Sequence, residues 1–289
     1  MQASGKHYIT YSSKADWITI WDIADVHLGS GGVSMDKLKE DIQYIHNDPN
    51  SFWFGGGDYG EYISPSDKRW DPASVSKEIK VNDLANLGKV IATKVRDLMF
   101  PIKEKCIGLL IGNHELKYSV AKEQEDLHAW LCTELEVPNF GYTCIFDIVF
   151  VRVGDNSKPQ LLKRTPNVGT ERHEFRIFAH HGAGYSQSPG GKINRLIKFM
   201  QDFDADVFFI GHVHDQVGKR IVQIGVDKTG RKIIDKEKIG IITGSYLRTY
   251  SSSAGTYGTY GEQRGYSPVP LGMKGIEIKP FTRETRAQI

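Results

Sequence analysis

The chain is poor in the features that mark several protein classes. It has three cysteines in 289 residues, Cys106, Cys132 and Cys144, and none sits in a CxxC pair. That number is small and odd, which excludes a disulfide framework. Their apolar neighbourhoods suit buried thiols. No run approaches the ~18 apolar residues of a membrane span. The first residues, MQASGKHYITYSSKADW, lack the apolar stretch of a secretory signal. A reducing, cytoplasmic setting without membrane attachment is therefore expected. There is little excess charge either: 37 Lys and Arg face 35 Asp and Glu, a formal charge of +2. A partner gripped by a broad basic face is excluded, and a local basic groove is not. With 39% hydrophobic residues, the composition is that of a chain that buries a core.

Short apolar runs alternate with helical patterns. Strands are expected at 17–24, 51–56, 106–111, 142–153, 175–179, 207–210 and 274–279. Helices are expected at 35–47, 76–99, about 120–135 and 192–203. A β-meander is expected over 217–244, with Lys228-Thr229-Gly230 as a turn. This alternation implies an α/β protein with mostly parallel strands, arranged as two packed sheets. Residues 1–289 read as a single domain.

The informative residues follow the strands. Asp25 and His27 come after the first, Asp58 after the second, and Asn113 and His114 after the third. His180 and His181 follow the fourth, and His212 and His214 the fifth. Sites in parallel α/β sheets form beyond the carboxyl ends of strands. Six of the ten histidines lie in these clusters, each flanked by Gly, where backbone must turn sharply beside a ligand. Asp, His and Asn together suit first-row divalent metals: Mn, Fe, Zn or Ni, with Mn favoured. Asp25, His27, Asp58, Asn113, His180, His212 and His214 are too many ligands for one tetrahedral zinc. Two ions about 3.5–4 Å apart would use them, as a clamp for in-line displacement at phosphorus.

The order Asp25-Val26-His27, Gly57-Asp58, Gly112-Asn113-His114-Glu115, His180 and Gly211-His212-Val213-His214 resembles that of the calcineurin-like metallophosphoesterases. The resemblance implies a four-layer α/β/β/α sandwich of two mixed sheets, with a dinuclear site at the strand ends. It implies one metal on Asp25, His27, Asp58 and His214. The second would sit on Asp58, Asn113, His180 and His212, with Asp58 bridging. It gives Asn113 and His114 catalytic positions, with His114 as general acid toward the leaving oxygen and a metal-bridging hydroxide as nucleophile. Of the pair His180-His181, the family pattern favours the first. Glu115 and Asp215 are each either acceptors that orient a ligand imidazole or solvated loop charges.

The substrate is less legible. Asp25-Val26-His27-Leu28-Gly29 resembles the SbcD-type nuclease branch, while Glu115 stands where those nucleases commonly have Asp. Two segments are expected to rim the site. Residues 59–75 carry Lys68, Arg69 and Trp70. Residues 245–270 are rich in Gly, Ser and Tyr and carry Arg248. Cationic and aromatic residues there suit a nucleotide or nucleic acid. The leading expectation is a phosphodiesterase or nuclease. The alternatives are a phosphomonoesterase acting on protein or nucleotide, a non-catalytic metal-bound scaffold, and a subunit of a larger nuclease assembly.

Overall fold

A computed structural model gives the structure. It describes residues 1–122, 126–154, 157–167, 171–184, 188–227, 229–251 and 258–288. Part of the expected 120–135 helix, Lys228 of the expected turn, and residues 252–257 of the Gly/Ser/Tyr segment lie outside the described residues.

In chain order the elements begin with β1 (Gln2–Tyr11), β2 (Ile18–Ala24), α1 (Met35–Asn47), β3 (Ser51–Gly57), α2 (Leu87–Met99) and β4 (Cys106–Leu110). Then come α3 (Asn113–Lys122), α4 (Leu127–Leu135), β5 (Asn139–Gly141), β6 (Thr143–Arg152), β7 (Leu161–Leu162) and β8 (Glu171–His180). The last are α5 (Pro189–Asp202), β9 (Val207–Ile210), β10 (Val217–Val226), β11 (Ile233–Ile242), α6 (Tyr260–Gln263), β12 (Lys274–Lys279) and β13 (Glu284–Gln288).

These strands form two mixed sheets. One has seven strands in the order β10-β11-β9-β8-β6-β1-β7, the other six in the order β13-β12-β2-β3-β4-β5. Strands β2 to β5 run parallel, as do β8, β9 and β11. The sheets pack face to face. Phe54 of β3 meets Phe209 of β9 edge-on at 5.0 Å and Phe146 of β6 at 6.2 Å. Helices α1, α2 and α4 cover the outer face of the six-stranded sheet, with Leu38, Ile91, Val95 and Leu131 against Ile23, Trp53 and Leu109. Helix α5 covers the other outer face, with Leu196 and Met200 against Phe178 and Phe208. The architecture is the four-layer α/β/β/α sandwich of two mixed sheets that the resemblance implies.

Some boundaries differ from the sequence reading. The helix expected over 76–99 is regular only from Leu87. Ahead of it the Asp83 carboxylate accepts from the Lys80 backbone N–H at 2.8 Å and stabilises a 3₁₀ turn over 81–86. The meander is a hairpin of β10 and β11, and β1 and β13 are additional strands. The first half of β1 is polar and exposed, so no apolar alternation announces it. It is held in place by parallel pairing with β6.

Candidate metal centre

The β2–β3 pairing continues past the strand ends as irregular backbone. The N–H of Asp25 donates to Gly57 O, that of His27 to Asp58 O, and that of Leu28 to Tyr59 O, at 2.9–3.0 Å. Asp25, His27, Asp58, His212 and His214 all have positive φ, between 45° and 68°. An L-residue there costs about 1–2 kcal/mol, and such residues gather where function over-determines the backbone. The left-handed turns aim Asp25 with His27, and His212 with His214, at one point, while Val26 and Val213 pack into the hydrophobic clusters on the outer faces of the sheets.

Three groups of ligand atoms converge there. They are Asp25, Asp58, His181 and His212; then Asp25, His27 and His214; then His27, Asp58 and His114. His214 Nε2 lies 3.2 Å from Asp25 Oδ1 and 3.2 Å from His27 Nε2. His181 Nε2 lies 3.3 Å from Asp58 Oδ2. The Asn113 side-chain amide lies 3.2 Å from His181 Nε2, 2.8 Å from His212 Nδ1 and 3.3 Å from Asp58 Oδ2. Lone pairs crowded on one point in this way are what a cation satisfies. The donor set of imidazole, carboxylate and amide oxygen, without a thiolate, fits first-row divalent ions.

Six of the seven expected ligands are brought together here, and His180 is not. The alternation of β8 sends Ile177 and Ala179 into the inter-sheet core and Phe178 toward α5. His181 therefore falls on the inter-sheet side. His180 stays with Phe178, stacks near Phe199 at 5.0 Å, and accepts from Gly182 N through Nδ1 at 2.6 Å. Period-two alternation through Phe175-Arg176-Ile177-Phe178-Ala179 was the signal that distinguishes the two.

The electrostatics are divided sharply. Burial works against the charged forms of Asp25 and Asp58. The imidazoles around them, His214 beside Asp25 and His181 beside Asp58, still hold both carboxyls well below the usual range. His181 is buried, which would lower its pKa, but Asp58 raises it to about 9. Burial pushes His212 down to about 4.

His114 lies at the rim. Its backbone N–H donates to Asp58 Oδ1 at 2.8 Å and its Nδ1 to Glu61 O at 2.6 Å, which leaves Nε2 as the free ring nitrogen. Glu61 is a residue the sequence reading missed. Its carboxylate lies 2.9 Å from His27 Nδ1, so one residue orients two imidazoles. The only sequence signal was an acid three positions after Asp58. Glu115 is buried and, among the described residues, bonds to backbone rather than to an imidazole. It accepts from the backbone of Gly112, Asp58, Tyr59 and Gly60. Gly112 is required beside it, because a Cβ there would collide with the Asp58 backbone nitrogen. Asp215 is neither a solvated charge nor an imidazole partner: it pairs with Lys192 at 3.0 Å and accepts from Gln216 N.

The expected substrate residues differ in what holds them. Lys68 is exposed. Arg69 is forked onto Asp67 at 2.7–3.1 Å. Trp70 packs, half-buried, in a crevice it shares with Glu61, Ile63 and Leu87. Arg248 is exposed and donates to Ser34 Oγ at 2.8 Å. Nearby, Ser245 Oγ donates to Asp25 O at 2.9 Å, which ties the 245–248 segment to the back of the centre.

The calcineurin-like phosphoesterase family matches residues 18–216, more than half of the chain and every residue of the centre. The chain belongs to that family. It is a metal-dependent phosphoester hydrolase. Among solved structures, a conserved uncharacterized protein of Streptococcus pneumoniae TIGR4, described as a predicted phosphoesterase, is similar at 12% identity and a TM-score of 0.33, over 91% of this chain and 84% of that one. The NAD nucleotidase of Haemophilus influenzae is similar at 10% identity and a TM-score of 0.40, over 95% of this chain. The match covers 49% of the nucleotidase, so this chain spans about half its length. No curated protein matches the chain. Among the described residues of this phosphoesterase no helix is long and apolar enough to cross a membrane.

Proposed function

We propose that this phosphoesterase is a dinuclear phosphodiesterase acting on nucleic acid or nucleotides. The observation that carries the reading is the convergence of three ligand groups that share Asp25, Asp58 and His27. Asp25, His27 and His214 would hold one ion, and Asn113, His181 and His212 the other, with Asp58 between them. When bound, such a pair supplies an acidified water and neutralises charge on the phosphate oxygens, with Mn the favoured identity.

The chain's own residues then have distinct tasks. His114, held through Nδ1 by the Glu61 carbonyl, presents Nε2 to the leaving oxygen and, as the imidazolium, gives its Nε2 proton there and is left as the neutral Nδ1–H imidazole. Asp58 fixes the His114 backbone, so the general acid keeps its place relative to the ligands. Glu61 fixes the ring of His27. Lys68 and Arg248 supply exposed positive charge on the two rim segments, which suits a polyanion with phosphates on both sides of the scissile one. The sequence extension Asp25-Val26-His27-Leu28-Gly29 supports a diester over a monoester. We also read residues 1–289 as one catalytic unit, because the centre draws residues from Asp25 to His214 across both sheets, and a reducing cytoplasm as its setting, because all three thiols are buried and free.

The test compares bis-p-nitrophenyl phosphate with p-nitrophenyl phosphate across Mn, Fe, Zn and Ni, followed by single-stranded DNA, duplex DNA and RNA. Diester turnover that is lost in Asp58→Ala is expected. A clear preference for the monoester would replace this reading with a phosphomonoesterase.

A further inference from the structure

The hairpin of β10 and β11 carries a surface that the metal centre does not use. Strand β10 is the edge of the seven-stranded sheet and is ten residues long. Its register with β11 runs unbroken through ten pairs, so no bulge twists the edge away. It contains no proline, and its charges, Lys219 and Arg220, lie in the half nearer the sandwich. The outer half, Ile221-Val222-Gln223-Ile224-Gly225-Val226, is uncharged and β-prone. Edge strands normally carry a device against pairing, and this half has none.

The side chains make the same point. Val222 is 54% exposed, Ile224 65% and Val226 59%, and Ile233, directly across from Val226, is 76% exposed. These four are close together, while the other large exposed hydrophobics among the described residues are spread over the rest of the chain. Strand periodicity puts Val222, Ile224 and Val226 on one face. That face continues the inter-sheet face, since Arg220 on it pairs with Ile239 of the central core. β11 pairs with β9 only over 239–242, so the outer hairpin projects past the strands that would cover it.

We propose that β10 pairs edge to edge with β10 of a second copy of this chain, antiparallel about a twofold axis at Ile224. The sequence is self-complementary about that point. Val222 falls opposite Val226 of the other copy, Ile224 opposite Ile224, and Gln223 opposite Gly225. The pairing satisfies the free backbone edge and sets aliphatic cross-strand pairs together, each contributing about 0.2–1 kcal/mol. No like charges meet in the paired core, since residues 221–226 carry none. An isologous contact of this kind closes at two copies. The contact is small and of the transient class, and the proposal places its dissociation constant on the order of micromolar.

Sedimentation velocity of the full chain over a concentration series tests this. A shift from 32.5 kDa toward twice that mass is expected. Ile224→Lys places like charges opposite each other across the axis and should remain monomeric with an unchanged circular dichroism spectrum, because the side chain is exposed. Ile224→Cys should form an intermolecular disulfide on oxidation, and Ile233→Cys should not. A wild-type chain still monomeric at about 100 µM, two decades above a micromolar constant, overturns the proposal. So does a dimer that Ile224→Lys leaves intact, an open-ended series of larger species, or a monomer that uses this stripe to bind lipid vesicles.

Discussion

The carboxylate of Glu115 lies 3.0 Å from the backbone N–H of Asp58 and accepts it. The same group accepts from Tyr59 N at 2.7 Å, from Gly112 N at 3.0 Å and from Gly60 N at 3.4 Å. One buried anion thus holds the loop that ends β3 against the loop that ends β4. Those loops carry Asp58 and Asn113, so Glu115 sets the spacing between two proposed ligands without touching the ion site itself.

Removing that anion leaves four buried donors without a partner. Each unsatisfied donor costs about 1–3 kcal/mol, so Glu115→Ala should destabilise the fold by roughly 3 kcal/mol or more. Glu115→Gln should fall between it and wild type, because its amide nitrogen meets N–H groups. Urea unfolding of the metal-free chain reads the stability, and metal stoichiometry reads the site. A change within about 0.5 kcal/mol, the range of ordinary surface substitutions, contradicts this account.

His180 and His181 are neighbours in sequence with opposite expected behaviour. His181→Ala should lose one equivalent of bound metal and reduce turnover by at least about a hundredfold, the scale at which loss of even an outer partner of a ligand is felt. His180→Ala should keep both equivalents and lose mainly packing against Phe199 and Phe178. Elemental analysis after dialysis, alongside turnover, separates them. Equal loss in both variants would show that the face of β8 does not decide ligation.

His128 gives a pH dependence away from the metal centre. Burial pushes its pKa down to about 4, and its Nε2 lies 3.1 Å from Asn139 Oδ1. The unfolded chain protonates this imidazole near 6.5 and the folded chain only near 4. Its contribution is therefore constant above about pH 6.5, and stability falls as pH drops through the window from about 6.5 to 4. The full loss is on the order of 3 kcal/mol. Urea midpoints between pH 7.5 and 5 should show it, and His128→Gln should flatten that part of the profile. An unchanged slope in the variant would assign the acid sensitivity to other groups.

The expected helix at 35–47 and the strands near 51–56, 106–111 and 207–210 coincide with α1, β3, β4 and β9 to within a residue or so. Their periodicities are strong and local. β1 and β13 were not legible, because their stability comes from pairing with β6 and β12 rather than from their own pattern.

The sequence by itself determined the residue types and their order at the strand ends, and with them the family, the metal chemistry and the reaction class. Chemistry of that kind is encoded in identity and spacing. Tertiary structure decided everything that depends on direction. The pleat of β8 turned His181 inward and His180 outward. The return of the 59–61 backbone placed Glu61 between His27 and His114. The burial of Glu115 under four N–H groups made a loop acid into an organiser. None of these is a property of a residue type. Each follows from which way a side chain points once two sheets have closed on a common core.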